Sequence, residues 1–336
     1  MRRVLAHVDY VTEPDGGSDP IGFLLDALAQ PGALLLFGVG TILVLALLLA
    51  WARWRPLDEA RSRFVDRAAG YHEYVPWMLR LSAGLVLIGS GLSRTLFMPT
   101  VDAAGPIGLV LTATGFLLLV GFAVRLAALA ALATFVVGGL ANPELVMMLD
   151  VAGALAAAAV IGPGRPSLDD LLRAAFPRGP GARAATENLA SGHDDLLPLV
   201  VRVGLGGAFA ASGIADKLLI HDQALAAVER YGLTSVVPVS PELWVAGAAL
   251  VETALGLALI LGVLTRFAAA VGFAVLTLAL FALPDDPVIA HVGLFGLSSV
   301  LVVLGGGRWS VDRAVLARLG ERFRRSSPRG TTSAGW

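Results

Sequence analysis

The chain contains no cysteine and carries little charge. Only 15% of its 336 residues are charged and 56% are hydrophobic, whereas soluble domains have about 25% charged residues. Without cysteine there can be no disulfide, no thiol relay and no iron–sulfur ligation by thiolate. The net charge of −1 gives no overall field that would attract nucleic acid. Composition therefore predicts a membrane protein and argues against a nucleic-acid partner.

Histidine is also scarce, and the usual cofactor motifs are missing. Of five histidines only His291 lies in an apolar run, so two axial histidines for a haem between membrane helices are not available. The sequence has no H-E-x-x-H metal motif, no phosphate loop and no dinucleotide-binding glycine motif after a strand. We therefore expect no haem, no metal and no nucleotide.

Nine apolar runs dominate the chain. A hydrocarbon core of about 30 Å takes about 20 mostly apolar residues per helix, and most of the runs approach that length. We therefore predict an all-α integral membrane protein with nine transmembrane helices, which places its two termini on opposite sides. The runs are Ala33–Trp51, Trp77–Phe97, Pro106–Phe122, Leu126–Leu140, Leu145–Ile161, Leu196–Leu218, Leu243–Leu261, Phe267–Leu283 and Val288–Leu304.

The basic residues alternate between the two sides of this arrangement. Of 25 Lys and Arg, 18 fall in the segments that follow the first, third, fifth, seventh and ninth runs, and 4 fall in the segments on the other side. Cytoplasmic loops are enriched in Lys and Arg. The pattern thus predicts a multi-pass protein of the cell membrane with its N-terminus outside and its C-terminus in the cytoplasm.

The sequence also repeats internally. Gly84 and Gly91 match Gly206 and Gly213, and two longer stretches recur further along. These are Gly121-x-x-x-Arg125 with Gly262-x-x-x-Arg266, and Gly162-Pro-Gly-Arg-Pro-Ser-Leu-Asp169 with Gly305-Gly-Gly-Arg-Trp-Ser-Val-Asp312. The spacing grows because the second copy has an insertion within Leu218–Glu242. Each copy has four crossings and begins on the cytoplasmic side, so we predict parallel repeats related by an axis along the membrane normal.

The predicted layout has five parts. Residues 1–74 form an external N-terminal segment, a leading transmembrane helix and a basic cytoplasmic linker. Residues 75–172 form the first four-helix unit, 173–196 a cytoplasmic linker and 197–316 the second four-helix unit. Residues 317–336 form a basic tail that we expect to be disordered.

The second unit resembles the DoxX family of small four-helix membrane proteins and the related DoxD subunits of thiosulfate:quinone oxidoreductases. Three pieces carry this resemblance: Arg202 with Ser212-Gly213-x-x-Asp216-Lys217, Glu252 with Gly262-x-x-x-Arg266, and Arg308-x-Ser310-x-Asp312. The first unit keeps the last piece as Arg165, Ser167 and Asp169. It has Arg94-Thr95 in place of Asp216-Lys217, and apolar Leu111 in place of Glu252. The whole chain thus resembles a tandem pair of DoxX-like bundles.

The resemblance implies a membrane subunit of a quinone-linked redox system, with a polar pocket in the outer half of the second unit. Glu252 lies near mid-membrane, where an ionisable group costs at least about 2.5–3.5 kcal/mol and normally faces a bundle interior or a partner. Asp216, Lys217 and His291 are the other candidates. The alternative is a structural ion pair that fixes the helix register. On an α-helix Ser212 and Asp216 share a face, whereas the adjacent Asp216 and Lys217 point apart.

Three functions remain open from sequence. The first is the redox subunit, with membrane lipid, a membrane quinone and a partner oxidoreductase subunit around it. The second is a non-enzymatic scaffold that holds such an oxidoreductase, and the third is a lipid or small-solute carrier. The sequence does not indicate the oligomeric state.

The remaining motif residues have expected structural roles. Arg80 and Arg202 are expected to snorkel to the headgroups, and Arg125 and Arg266 to act as interface anchors in tight turns. Ser167 and Ser310 are placed to cap the next helix, and Asp169 and Asp312 to lie near its positive end. The paired glycines are expected to let helices approach closely.

Overall fold

The computed structural model describes residues 19–54, 58–103, 105–176, 194–284 and 288–314. The first 18 residues, most of the predicted linker 173–196 and the predicted tail 317–336 lie outside these ranges. The described residues form thirteen α-helices and one small β-hairpin. The helices are α1 (Pro20–Ala29), α2 (Pro31–Trp54), α3 (Asp58–Ala69), α4 (Val75–Ser93), α5 (Gly105–Val120), α6 (Val124–Ala141), α7 (Leu149–Ile161), α8 (Leu168–Ala175), α9 (Leu197–Ala211), α10 (His221–Arg230), α11 (Pro241–Leu261), α12 (Thr265–Ala282) and α13 (Val288–Leu304).

Shorter elements connect these helices. A π-helix, Ser212–Leu219, extends α9, and the hairpin pairs β1 (Thr95–Leu96) with β2 (Met98–Asp102). Short 3₁₀-helices occupy His72–Tyr74, Pro143–Met148, Asp194–Leu196 and Leu233–Ser235. We call the end of the bundle with the hairpin and α10 the outer end, and the end with α8 the inner end.

The prediction of a multi-pass helical membrane protein is confirmed. Within the described ranges, six helices are long and apolar enough to cross a membrane, counting the turns that extend them. The bent pair α1 and α2, whose axes meet at 76°, becomes a seventh if it forms one span, and α5 and α13 are shorter apolar helices. The count of nine crossings therefore stays a prediction.

One predicted crossing ends earlier than its apolar run. The run Trp77–Phe97 predicts a helix to Phe97, but α4 stops at Ser93 and Arg94 adopts a left-handed conformation with φ of 56°. The chain then turns back through the hairpin, whose Leu96, Phe97 and Met98 are buried. Arg94 therefore lies at the outer end of α4 rather than within a crossing.

Small residues bring the first two helices of each unit together, as predicted. A Cβ added to Gly84 of α4 would lie 3.0 Å from the carbonyl oxygen of Gly115 in α5. A Cβ added to Gly206 of α9 would lie 2.6 Å from that of Gly256 in α11. Contacts this short leave no room for any side chain, so glycine sets the spacing of both helix pairs.

The helices of the two predicted four-helix units pack on each other reciprocally, although the repeat layout itself stays a prediction. The first helix of the first unit, α4, packs on the last helix of the second, α13, while α9 packs on α7. A Cβ on Gly153 of α7 would lie 2.7 Å from the Cα of Gly204 in α9. At the matching crossing, a Cβ on Gly296 of α13 would overlap Ser82 of α4. This exchange of partners is what a pseudo-twofold pair of units would produce.

The expectation that Arg80 and Arg202 reach the headgroups is wrong. Arg80 is 3% exposed and Arg202 is 1% exposed. The last carbonyls of a helix have no partner within the helix, and a guanidinium offers five N–H donors to them. Arg202 donates to the carbonyl of Trp309 at 2.8 Å. Arg80 donates to four carbonyls at 2.7 to 2.9 Å, those of Leu118, Leu119, Pro163 and Pro166.

The turn arginines bind helix ends in the same way. Arg125 donates to the carbonyl of Ala159 at the end of α7, at 3.2 Å. Arg266 donates to the carbonyl of Val302 near the end of α13, at 2.8 Å. Both are half-buried, so each ties a tight turn to the inner end of a neighbouring helix.

The repeated Ser-x-Asp sequences cap two helices at once. Ser167 Oγ accepts the N–H of Asp170 at 3.1 Å, and Ser310 Oγ accepts that of Arg313 at 3.3 Å, which confirms the predicted caps. Asp169 also accepts the N–H of Ala123 at the start of α6. Asp312 accepts the N–H groups of Leu264 and Thr265 at the start of α12. Each aspartate thus caps a second helix, a contact that spacing alone does not reveal.

Candidate functional site

An ion pair joins α9 and α11 inside the second unit. Lys217 Nζ lies 2.8 Å from Glu252 Oε2, and the two side chains are 19% and 17% exposed. Glu252 is near the middle of α11, which has 21 residues. Two charges at this depth are stable together because each compensates the other's loss of water. The structure therefore brings together two of the four residues proposed for the polar pocket.

A π-helix brings a third predicted residue to the pair. Ser212 Oγ donates to Asp216 Oδ2 at 3.2 Å, and Lys217 Nζ donates to Ser212 Oγ at 3.2 Å. The predicted shared face of Ser212 and Asp216 is confirmed. The expected separation of Asp216 from Lys217 assumed an α-helix. In a π-helix the backbone bonds run from i to i+5, so Ser212 and Lys217 also meet.

Gly213 makes the contact between the two helices possible. A Cβ on Gly213 would lie 2.7 Å from the carbonyl oxygen of Ala249 and 2.6 Å from Thr253 Oγ1. Because α9 and α11 touch at this level, the Lys217 side chain reaches Glu252 on the neighbouring helix. Gly213 belongs to the motif that carries the family resemblance, and this contact gives it a physical role.

His291 lies at the junction of the two units. It is 2% exposed and sits in the first turns of α13, which packs on α4, α7, α9 and α12. Two residues further, a Cβ on Gly293 would overlap the carboxylate of Asp150 in α7. Helix α9 packs on α13 and continues into the π-helix that carries Lys217, whereas α11 is not among the main neighbours of α13.

The first unit lacks both charges of the ion pair, because Thr95 stands in place of Lys217 and Leu111 in place of Glu252. Leu111, the counterpart of Glu252, is fully buried. The hairpin follows α4 where the π-helix follows α9, and its Phe97 packs edge-on against Phe135 with ring centroids 5.2 Å apart. Because this packing is apolar, the chemistry predicted for the second unit has no counterpart among these residues of the first.

A small cap covers the outer end of the second unit. Phe23 of α1 stacks on His221 of α10, with ring centroids 4.4 Å apart and planes at 11°. Ser240, which caps α11, bonds to Gln30 Oε1 at 2.5 Å. Helix α10 occupies the insertion predicted within Leu218–Glu242. The sequence does not predict the docking of α1 here, because residue types along one helix do not show which distant element it packs against.

Two cavities lie away from the ion pair. One, of about 270 Å³, lies between α4 and α13 and is lined by Met78, Ser82 and Phe295 among others. The other, of about 470 Å³, is lined by α3 residues including Arg63, Phe64 and Arg67. Among the described residues, no three His, Asp or Glu side chains are grouped to hold a metal ion. The ion pair is therefore the place where the predicted site residues converge.

Comparison with known families supports the resemblance of the second unit. Residues 197–285 match the family model DoxX, which covers α9 to α12 and includes Asp216, Lys217 and Glu252. His291 lies beyond the matched residues. No curated protein and no solved structure matches the chain. This is thus a multi-pass membrane protein with a DoxX domain at residues 197–285, and the ion pair lies within that domain.

Proposed function

We propose that the protein is a membrane subunit of a quinone-linked redox system, and that a quinone head group binds beside Lys217 and Glu252. The observation that carries this proposal is the ion pair itself, held near mid-membrane at 2.8 Å. Ionisable groups at this depth usually mark a functional site. The resemblance to DoxD subunits supplies the redox context as an analogy.

The residues present suit a quinone carbonyl. The ammonium of Lys217 and the hydroxyl of Ser212 are hydrogen-bond donors, and Glu252 holds a proton when neutral and accepts one when ionised. A bound quinone supplies two-electron redox chemistry, taking up two protons on reduction. Glu252 is placed to give or take a proton at the oxygen that Lys217 holds. The chain has no cysteine, so a partner oxidoreductase subunit delivers the electrons.

The surroundings of the pair favour a ligand that arrives from the membrane. Ile214 on the π-helix is 43% exposed and Val251, next to Glu252, is 53% exposed. These apolar surfaces face lipid in a protein that spans the bilayer. The side chains of the pair are mostly covered but keep 19% and 17% of their surface exposed beside these residues. A molecule with a polar head and an apolar tail matches both features.

We also propose an orientation of the protein in the membrane, with the inner end of the bundle facing the cytoplasm. The excess of basic residues in the segments predicted to face the cytoplasm, 18 against 4 in those predicted to lie outside, supports an inner end in the cytoplasm and a location in the cell membrane. Because α4 ends at Ser93, Arg94 is added to the basic residues of the outer side. This one residue changes the excess of basic residues on the cytoplasmic side little. The site then opens in the outer half of the membrane.

Purification in mild detergent tests this function. Protein partners are identified by mass spectrometry and extracted lipids are analysed for quinones. Binding of a benzoquinone with a decyl tail is measured by quenching of tryptophan fluorescence. We expect a co-purified quinone and saturable quenching that is weakened in Glu252→Gln but not in Glu242→Gln, the same change at the outer end of α11. A bound oxidoreductase without any quinone binding would reject the proposal and favour the scaffold.

A further inference from the structure

We propose that Ser212 is the positioning residue of a proton relay that leads from Asp216 through Lys217 to Glu252. Its hydroxyl is the link between two charged side chains that neighbour each other in sequence. Ser212 Oγ lies 3.2 Å from Asp216 Oδ2 and 3.2 Å from Lys217 Nζ, and Lys217 Nζ lies 2.8 Å from Glu252 Oε2. Two hydrogen bonds and one ion pair thus connect four side chains in one line.

The π-helix is what assembles this line. In an α-helix Ser212 and Asp216 share a face, whereas Lys217, five positions after Ser212, points in another direction. The wider turn of Ser212–Leu219 places residues five apart above one another. Ser212 can therefore contact Asp216 and Lys217 together. π-helical turns are rare and are frequent at functional sites, which agrees with a role beyond packing.

The line runs from the outer end toward the middle of the membrane. Gly213 touches α11 at Ala249 and Thr253, and Lys217 follows one turn further out. Side chains on a helix tilt toward its N-terminus, which for α9 is the inner end. The Lys217 side chain therefore reaches inward to Glu252. Asp216, which is 7% exposed, lies within one turn of Leu219 at the end of the π-helix.

The relay moves one proton without moving electrons. When Glu252 has given its proton away, Lys217 passes one N–H proton to the carboxylate. The Ser212 hydroxyl then protonates the Lys217 amine, and protonated Asp216 gives its proton to the Ser212 oxygen. Each step breaks one O–H or N–H bond and forms another. Asp216 takes the next proton from the outer end, and the reverse order carries a proton outward.

The elements packed against the π-helix are α1, α9, α10 and α11. Helix α9 carries Arg202 near the inner end, whereas the other titratable residues of α1, α10 and α11 lie toward the outer end of the second unit. They are Asp26 of α1, His221, Asp222, Glu229 and Arg230 of α10, and Glu242 of α11. The relay therefore begins on the side of the protein that carries these charged groups.

The first unit provides a natural control. Ser90, the counterpart of Ser212, is present and buried. It is followed by Arg94 and Thr95, and Leu111 stands in place of Glu252. A serine at this position is therefore compatible with the helix packing alone. In the second unit the serine contacts the Asp216 carboxylate and the Lys217 ammonium.

The relay is tested by the rate at which Glu252 becomes protonated after a downward pH jump. The measurement uses time-resolved infrared spectroscopy of the full chain in detergent. The Glu252 signal is assigned by its loss in Glu252→Gln. We expect Ser212→Ala to slow protonation by at least about tenfold, in line with a lost proton-transfer group. Ser212→Thr keeps a hydroxyl and should restore the rate, and Ser90→Ala should leave it unchanged.

A second variant and a fold control complete the test. Asp216→Asn should slow protonation as much as Ser212→Ala, because it removes the entry of the relay. Far-ultraviolet circular dichroism and the thermal midpoint confirm that each variant is folded. Unchanged rates in folded Ser212→Ala and Asp216→Asn would overturn the relay.

The use of the proton delivered to Glu252 rests on the proposed function, but the measurement of the protonation rate needs no quinone. A Ser212-dependent rate in a protein that binds no quinone would keep the relay and reject the quinone site. Quinone binding together with a Glu252 protonation rate that Ser212→Ala does not change would keep the quinone site and reject the relay.

Discussion

Gly153 of α7 and Gly204 of α9 meet backbone to backbone, so that a Cβ on Gly153 would lie 2.7 Å from the Cα of Gly204. This contact joins the last helix of the first unit to the first helix of the second. It brings the two backbones closer than any side chain allows. Packing at glycine therefore holds α7 and α9 together at this crossing.

Gly153→Ala should destabilise the protein. The added methyl group forces α7 and α9 apart, and overpacking of this kind typically costs about 1–3 kcal/mol. Gly139→Ala in α6 is the matched control, because a Cβ there would meet nothing within 4 Å. Thermal unfolding in detergent should show a lower midpoint for Gly153→Ala only. Equal midpoints would mean that the units do not pack through this contact.

Arg80→Met should be far more destabilising than the same change at an exposed arginine. It leaves four backbone carbonyls without their donor, and each hydrogen bond to a charged group contributes about 1.5–3 kcal/mol. Arg63, whose side chain is 72% exposed, provides the control as Arg63→Met. We expect Arg80→Met to lower the free energy of unfolding by at least about 3 kcal/mol. A loss no larger than that of Arg63→Met would restore the headgroup-anchor interpretation.

Single cysteines should report the orientation directly, because the chain has no other cysteine. Asp102 is exposed on the hairpin at the outer end, and Ser62 is exposed on α3 at the inner end. Asp102→Cys should react with a membrane-impermeant thiol reagent in intact cells, whereas Ser62→Cys should react only after permeabilisation. The reverse pattern would invert the topology.

The fold was predictable where it depends on residue type along one helix. Apolar runs predict the membrane helices, and glycines spaced by seven predict close helix pairs, because each follows from local periodicity. The GxGRxSxD sequences predict the caps at Ser167 and Ser310 for the same reason. These features depend on the residues of a single helix or its end, so they can be predicted from the sequence.

The rest depends on contacts between distant segments. Arg80 and Arg202 were expected at the surface, because a lone arginine near a helix end does not show which carbonyls face it. The hairpin after Arg94 was hidden within an apolar run. The π-helix at Ser212–Leu219 has no signature in residue types, although it decides which way Lys217 points. The four residues proposed for the site stay a prediction, and the connection of Asp216 to Lys217 through Ser212 is what the sequence does not reveal.

The most direct test of the central claim is Glu252→Gln in the intact, quinone-linked system. Activity per folded molecule and thermal stability are measured on one preparation, with Glu242→Gln as control. Glutamine keeps the shape and much of the hydrogen bonding but cannot carry the proton. We predict a retained fold and an activity lower by at least tenfold, since a lost acid–base group typically costs about 10²–10⁴. Unchanged activity per folded molecule with a lower midpoint would contradict the account and leave the Lys217–Glu252 pair a structural one.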